Sequence, residues 1–290
     1  MWIVFACGSA LFAGITAVLA KEGIRTTDST VATALRTIVV LAGAWGMVFI
    51  VRSQAELTRL DARSTGLLVL SGLATGASWL CYFKALQLGS VSKVVPIDKL
   101  STVLTVLLAL IFLGERVSLI GALGVVLIAV GTLLMLDADD LRGLPRAVRD
   151  GGGWLLYALG SAFFAALTAI LGKAGITGVE SNLGTAIRTG VVLVMAWVMV
   201  AVTGKLHEVR AVPRGELGFV LASGAATCAS WLCYYRALQD GPASVVVPID
   251  KLSVLVTVLF SALVLREAVS RRYLVGLALL VGGTLAMLAL

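Results

Sequence analysis

The sequence predicts an all-α polytopic membrane protein with ten transmembrane helices arranged as two inverted five-helix repeats. Three observations predict it. Apolar residues make up 59% of the 290-residue chain and charged residues 13%, more apolar surface than a water-soluble domain of this size can hide. Ten apolar stretches run along the chain, each of about 18 to 24 residues, the length that crosses a hydrocarbon core of about 30 Å. Finally, Val95 to Ser101 and Val247 to Ser253 carry the same string, Val-Pro-Ile-Asp-Lys-Leu-Ser, at an offset of 152 residues.

The stretches fall at residues 2–20, 30–51, 66–83, 91–113 and 118–136, then 154–172, 182–203, 217–235, 243–265 and 273–290. The first lacks a basic leader and is matched by the internal stretch from Trp154, so it reads as a retained span and not a signal peptide. The second and seventh carry Arg36 and Arg188 about two turns in. The third and eighth set Trp79, Tyr82 and Phe83, or Trp231, Tyr234 and Tyr235, at i, i+3 and i+4, one aromatic face each. This face suits either an organic substrate or an interfacial belt. The fourth and ninth hold the repeated string. The fifth and tenth hold Gly124 and Gly131, or Gly276 and Gly283, seven residues apart on one helix face, a spacing that favours close helix contact. A membrane β-barrel would need short alternating segments, which are absent.

The repeat sets the domain organisation: residues 1–136, a linker at 137–152 with Pro145 and three glycines, and 153–290. A unit of five spans leaves its chain on the side opposite its entry, so the second copy is expected upside down relative to the first. Inverted repeats of this kind support alternating access around a site near the midplane. The basic residues divide between the two sides, so the positive-inside rule assigns no single orientation.

Ionisable residues within spans need a reason. Asp98 and Lys99, like Asp250 and Lys251, lie roughly 10 Å into their spans by helix rise. Pro96 and Pro248, two positions before each aspartate, remove a backbone donor and are expected to kink or open the helix toward polar cargo. A competing reading starts each helix at the proline, with the aspartate near an N-terminus and the lysine snorkelling to the headgroups. Neighbouring helix positions point about 100° apart, so each aspartate must find a partner other than its own lysine. Arg36, Arg188 and residues of the opposite repeat are the candidates. Glu115 and Glu267 read as turn residues, and His207 as solvated.

The formal charge of +7 is spread over short loops and not gathered on one face, so no nucleic-acid partner is expected. Cys7, Cys81, Cys228 and Cys233 lie inside apolar spans without Cys-x-x-Cys spacing, which argues for packing residues and against a disulfide framework or metal site. No phosphate-binding loop, His-Glu-x-x-His set or nucleophile–base pair is present, so neither direct ATP drive, an enzyme nor a cofactor is expected.

With the Ser-Trp-Leu-Cys-Tyr segments at Ser78 and Ser230, the Ala-Leu-Gln-x-Gly turns from Ala85 and Ala237, the Pro-Ile-Asp-Lys strings and Gly114-Glu115, the chain resembles the EamA family of the drug/metabolite transporter superfamily over essentially its whole length. Arg266 before Glu267 departs from the first copy. The resemblance implies a secondary carrier in the cell membrane, commonly an exporter of amino acids or other small metabolites. Its central cavity would be walled by the third, fourth, eighth and ninth helices, near Trp79, Tyr82, Asp98, Trp231, Tyr234 and Asp250. The expected partners are a small-molecule substrate, the bilayer and, as a coupling hypothesis, protons, in a monomer or homodimer. A flippase for an amphiphile or lipid-linked carrier is the alternative.

Overall fold

The computed structural model describes residues 1–88, 94, 97–98, 100–135, 153–263 and 270–288. Among them are eleven α-helices: α1 (Trp2–Gly23), α2 (Ser29–Ile50), α3 (Ala62–Leu88), α4 (Ser101–Phe112), α5 (Leu119–Leu134), α6 (Gly153–Gly175), α7 (Ser181–Val202), α8 (Arg214–Asp240), α9 (Ala243–Lys251), α10 (Ser253–Leu263) and α11 (Arg271–Leu288). Seven of them, α1, α2, α3, α6, α7, α8 and α11, contain stretches long and apolar enough to cross a membrane, while α4 and α5 are shorter apolar helices. The ten continuous spans expected from the sequence are therefore not all found as such. The described part of the stretch expected at 243–265, residues 243–263, is two helices, α9 and α10, parted at Leu252. Pro96, Lys99, Glu267 and the linker at 137–152 lie outside the described residues.

Local chemistry sets the helix starts. The Asp28 carboxylate accepts the backbone N–H groups of Thr30 and Val31, and the Glu180 carboxylate those of Asn182 and Leu183, so the starts of α2 and α7 are capped alike. Ser118 and Ser270 accept the Gly121 and Tyr273 N–H groups at the starts of α5 and α11.

Small residues then let the helices pack closely. α1 packs on α8, α3 on α6, α2 on α7 and α5 on α11. Each contact has a mate 152 residues on: Ser9 meets Ser230 as Ser161 meets Ser78, and Gly124 faces Gly283 as Gly131 faces Gly276. The helices α3 and α8 turn a hydroxyl stripe inward. Ser71 Oγ donates to Thr168 O at 2.8 Å and Ser78 Oγ to Ser161 O at 3.1 Å, bonds worth about 0.6 kcal/mol each in apolar surroundings. Large apolar side chains such as Leu11, Phe49, Ile111, Leu119, Val194 and Val202 face outward, the pattern of a surface bathed in lipid. Cys7 is exposed there too, contrary to its expected packing role, whereas Cys228 is buried.

The loop between α7 and α8 is tied to the start of α2 by Lys205, whose Nζ lies 2.5 Å from Asp28 Oδ2. Burial alone would raise the Asp28 carboxyl, but the Lys205 and Thr30 hydrogen bonds and the Lys205 charge outweigh it and hold the group below its ordinary 3.8. A depressed carboxyl contributes stability that is full above the unfolded value and lost as pH falls through the folded one. Below about pH 3.8, the melting temperature in detergent is expected to fall more steeply for the unaltered protein than for Asp28→Asn. Equal slopes would remove the carboxyl from the account.

Candidate functional site

The two Pro-Ile-Asp-Lys-Leu-Ser strings share a backbone feature that the sequence did not place. Pro248 sits inside α9, and the ladder is interrupted one turn later. Leu252 N donates to Ile249 O at 2.9 Å and Leu255 N to Leu252 O at 2.8 Å, tightened i→i−3 bonds that end one helix and begin the next. Leu100, the matching residue, donates to Ile97 O at 3.1 Å just before α4. The break thus falls at the leucine rather than the proline. It leaves Asp250 and Lys251 in the last turn of a half-helix, within the bundle.

Each aspartate is served by the other half of the chain. Ser9 Oγ in α1 donates to Asp250 Oδ1 at 2.5 Å, and Ser161 Oγ in α6 donates to Asp98 Oδ1 at 2.6 Å. Ser230 Oγ in turn donates to Ser9 O, and Ser78 Oγ to Ser161 O, both at 3.1 Å. Among the described residues, neither carboxylate forms an ion pair with Arg36 or Arg188. These serines were missed from sequence although Gly-Ser-Ala at Gly8 and Gly160 stands in the same repeat register, a legible signal.

A cavity of about 230 Å³ brings most of the predicted residues together: Trp79, Arg188, Trp231, Tyr234, Asp250 and Lys251 all line it. Arg188 is its most constrained member. The guanidinium carbon lies 4.9 Å from the ring centres of both Trp231 and Tyr235, a cation–π arrangement favoured by desolvation. Its Nε donates to Ser71 Oγ at 3.1 Å and its Nη2 to Thr75 Oγ1 at 2.6 Å, while Nη1 is buried without a partner among the described residues. Tyr235 forms part of this setting and completes the aromatic face with Trp231 and Tyr234.

Symmetry stops here. Arg36 makes no matching bonds to Ser223 and Thr227 among the described residues. With Tyr82, Ser29 and Thr33 it lines a separate cavity of about 280 Å³. Trp79 and Tyr82, expected on one face, thus front different spaces, and Asp98 is not among the residues lining the Arg188 cavity. A third and larger chamber, about 430 Å³, lies between α5, α10 and α11 on one side, through residues such as Ile128, Thr132, Val254 and Leu280, and α1, α4 and α9 on the other, through Ala17, Thr102 and Pro248, and shares Ala13 and Lys251 with the Arg188 cavity.

Glu115 also departs from its expected part. Beyond its own turn, its carboxylate accepts the Ala243 and Ser244 N–H groups at 2.7 and 2.9 Å, capping α9 of the other half. Beside it, Lys173 Nζ donates to Leu238 O and Gly241 O.

A buried arginine, two half-buried charges and aromatic rings around a cavity inside an all-helical, multi-pass membrane bundle are the makings of a membrane transporter. The match to known sequences agrees. The chain belongs to the EamA-like transporter family, part of the drug/metabolite transporter superfamily, whose profile matches residues 1–137 and 152–289. A protein of Sinorhizobium sp, described as "Uncharacterized transporter in cobO 3'region", is 44% identical over 134 residues, which are 46% of this chain and 95% of that protein. A solved structure described as "Crystal structure of protein" superposes with a TM-score of 0.73 at 20% identity, covering 98% of this chain and 94% of the other, and so shares its fold.

Proposed function

We propose that the protein is a secondary carrier of the cell membrane that exports small organic metabolites such as amino acids by alternating access, driven by the proton gradient or by exchange. The observation that carries this reading is the Arg188 cavity. It sets an arginine, an aspartate and a lysine beside two tryptophans within the bundle, next to a helix broken in its middle. The two halves, residues 1–136 and 153–290 about a linker at 137–152, act in this reading as inverted five-helix repeats rocking about that cavity. The paired contacts at an offset of 152, each made again by the mates of its two residues, support such a pseudo-two-fold. Asp98 and Asp250 are the candidate proton carriers, since a carboxylate that meets a cavity in only one state changes its proton affinity as that cavity opens and closes. Lys99 and Pro96 retain their places in this reading by repeat symmetry with Lys251 and Pro248.

Uptake or counterflow of pooled radiolabelled amino acids, sugars and nucleosides into proteoliposomes, with and without a pH gradient, tests it. Signal above empty liposomes is expected, and its response to the gradient separates proton coupling from exchange. Silence with folded protein would count against a metabolite carrier. Asp250→Asn keeps an acceptor for Ser9 and is expected to leave the melting temperature unchanged while transport drops roughly tenfold, about 1.4 kcal/mol. Asp98→Asn, away from the cavity, is expected to cost less. Full transport by both variants would remove the carboxylates from the path.

The 430 Å³ chamber, apolar for most of its lining, favours a second reading as a flippase for an amphiphile. Dithionite quenching of fluorescent lipids in the same vesicles checks it. Transbilayer movement that depends on the protein would bring this reading forward.

A further inference from the structure

We infer that the cargo is an organic carboxylate, its carboxylate held by the Nη1 edge of Arg188 and its apolar remainder lying in the chamber beside α5, α10 and α11. This rests on the carrier reading above and narrows its cargo. Arg188 is only 3% exposed. Hydrogen bonds to Ser71 and Thr75 employ two of its five N–H groups and fix the plane of the guanidinium. Trp231 and Tyr235 interact with the cation through their rings and supply no in-plane acceptor. Nη1 is left buried with nothing to receive its protons among the described residues, and it belongs to a side chain lining the cavity. A buried charged donor without an acceptor is rare in a folded protein and calls for an explanation. A ligand that brings the acceptor provides one, and the planar fork of arginine is matched to a carboxylate.

Charge selects within the anions. The described lining of the cavity holds Arg188 and Lys251 against Asp250, a formal excess of one positive charge. A monocarboxylate neutralises it, whereas a phosphomonoester at about −1.5 to −2 overshoots. A zwitterionic α-amino acid, with no net charge, leaves that excess in place. The remainder of the molecule has one roomy neighbour. The chamber shares Ala13 and Lys251 with the Arg188 cavity, is nearly twice its volume, and offers Ile128, Val254 and Leu280 with scattered threonine hydroxyls. An apolar chain that enters it is transferred from water to an apolar lining while its head stays at Arg188.

Trp79 and Trp231 line the cavity, so intrinsic fluorescence of the purified protein in detergent reports occupancy without transport. Titrations use sodium 4-methylpentanoate, 4-methylpentanamide and isoamylamine hydrochloride, then 3-phenylpropanoate, its amide and propanoate. The carboxylates are expected to give a saturable change, with the amides and the amine at least about tenfold weaker. Arg188→Lys, which keeps the charge but loses the fork, is expected to weaken carboxylate binding about tenfold. Val254→Phe is expected to weaken 3-phenylpropanoate and spare propanoate. Acids and amides of equal affinity, or a preference for the amine, overturn the assignment. If Arg188→Lys does not fold, the acid–amide comparison on the unaltered protein decides alone. Silence from all six compounds beside a transport signal from the pooled panel overturns the assignment to a monoanionic carboxylate and leaves the carrier standing. Silence in both assays overturns the two together.

Discussion

Gly131→Leu is expected to abolish the folded protein. A Cβ added at Gly131 would lie 2.5 Å from Gly276 O and 2.8 Å from Leu280 N, and one added at Gly124 would lie 2.6 Å from Gly283 O. These neighbours are backbone atoms, which cannot swing aside as a flexible side chain can. The helices α5 and α11 must therefore separate along their length, and the loss spreads over every contact between them. Overpacking of a well-packed site costs about 1 to 3 kcal/mol, and a leucine placed against backbone belongs at or beyond the top of that range. Gly131→Ala is expected to lower yield and melting temperature by a smaller amount. Gly282 is the control: it lies on the same helix as Gly283, and a Cβ there meets nothing within 4 Å. Gly282→Leu should express and melt like the parent by size-exclusion chromatography and thermal scanning. Equal behaviour of the Gly131 and Gly282 variants would sink the packing account.

The seven-residue glycine spacing made this contact legible in the sequence, because spacing fixes which residues share a face. It left open whether these two helices pack on each other or against the opposite half, since the partner depends on the tertiary path of both halves; they pack on each other. The duplicated string was legible in the same limited way. It marked Asp250 and Lys251 as unusual within an apolar stretch, and both line the Arg188 cavity. The break one turn beyond Pro248 was not legible. A proline marks where a donor is missing, whereas the position of the tightened bonds at Leu252 is set by packing on both sides. Repeat symmetry also predicted too much. It pairs Arg36 with Arg188, yet only Arg188 is gripped by Ser71 and Thr75 and laid against Trp231 and Tyr235. Two halves of one chain that follow different sequences around a common plan relax to different side-chain arrangements. One sequence difference is visible at the site itself, where Tyr235 stands opposite Phe83 in the repeat register.

Glu115→Ala is expected to release one end of the bundle. The Glu115 carboxylate caps α9 across the interface between halves, through Ala243 and Ser244, while Lys173 holds the last carbonyls of α8 nearby and Trp2 lies against Gly241. All of these contacts gather where α8 passes into α9, immediately before the half-helix that carries Asp250. A capping side chain replaced by alanine costs about 0.5 to 2 kcal/mol, and bonds to a charged acceptor lie toward the upper part of that range. Under the carrier reading, this end must part once in each cycle, so the lost contact raises the population of the parted state. A change of about 2 kcal/mol corresponds to roughly thirtyfold in that equilibrium. The measurement is thiol labelling of a cysteine placed at Ala243, in a background whose native cysteines are replaced by serine, with and without Glu115→Ala. Faster labelling in the variant, with transport altered and the melting temperature little changed, is the expected result. Glu115→Gln keeps an acceptor without the charge and should fall between. An unchanged labelling rate would make Glu115 a simple helix cap with no bearing on opening, and the position of the gate would then have to be sought away from this end.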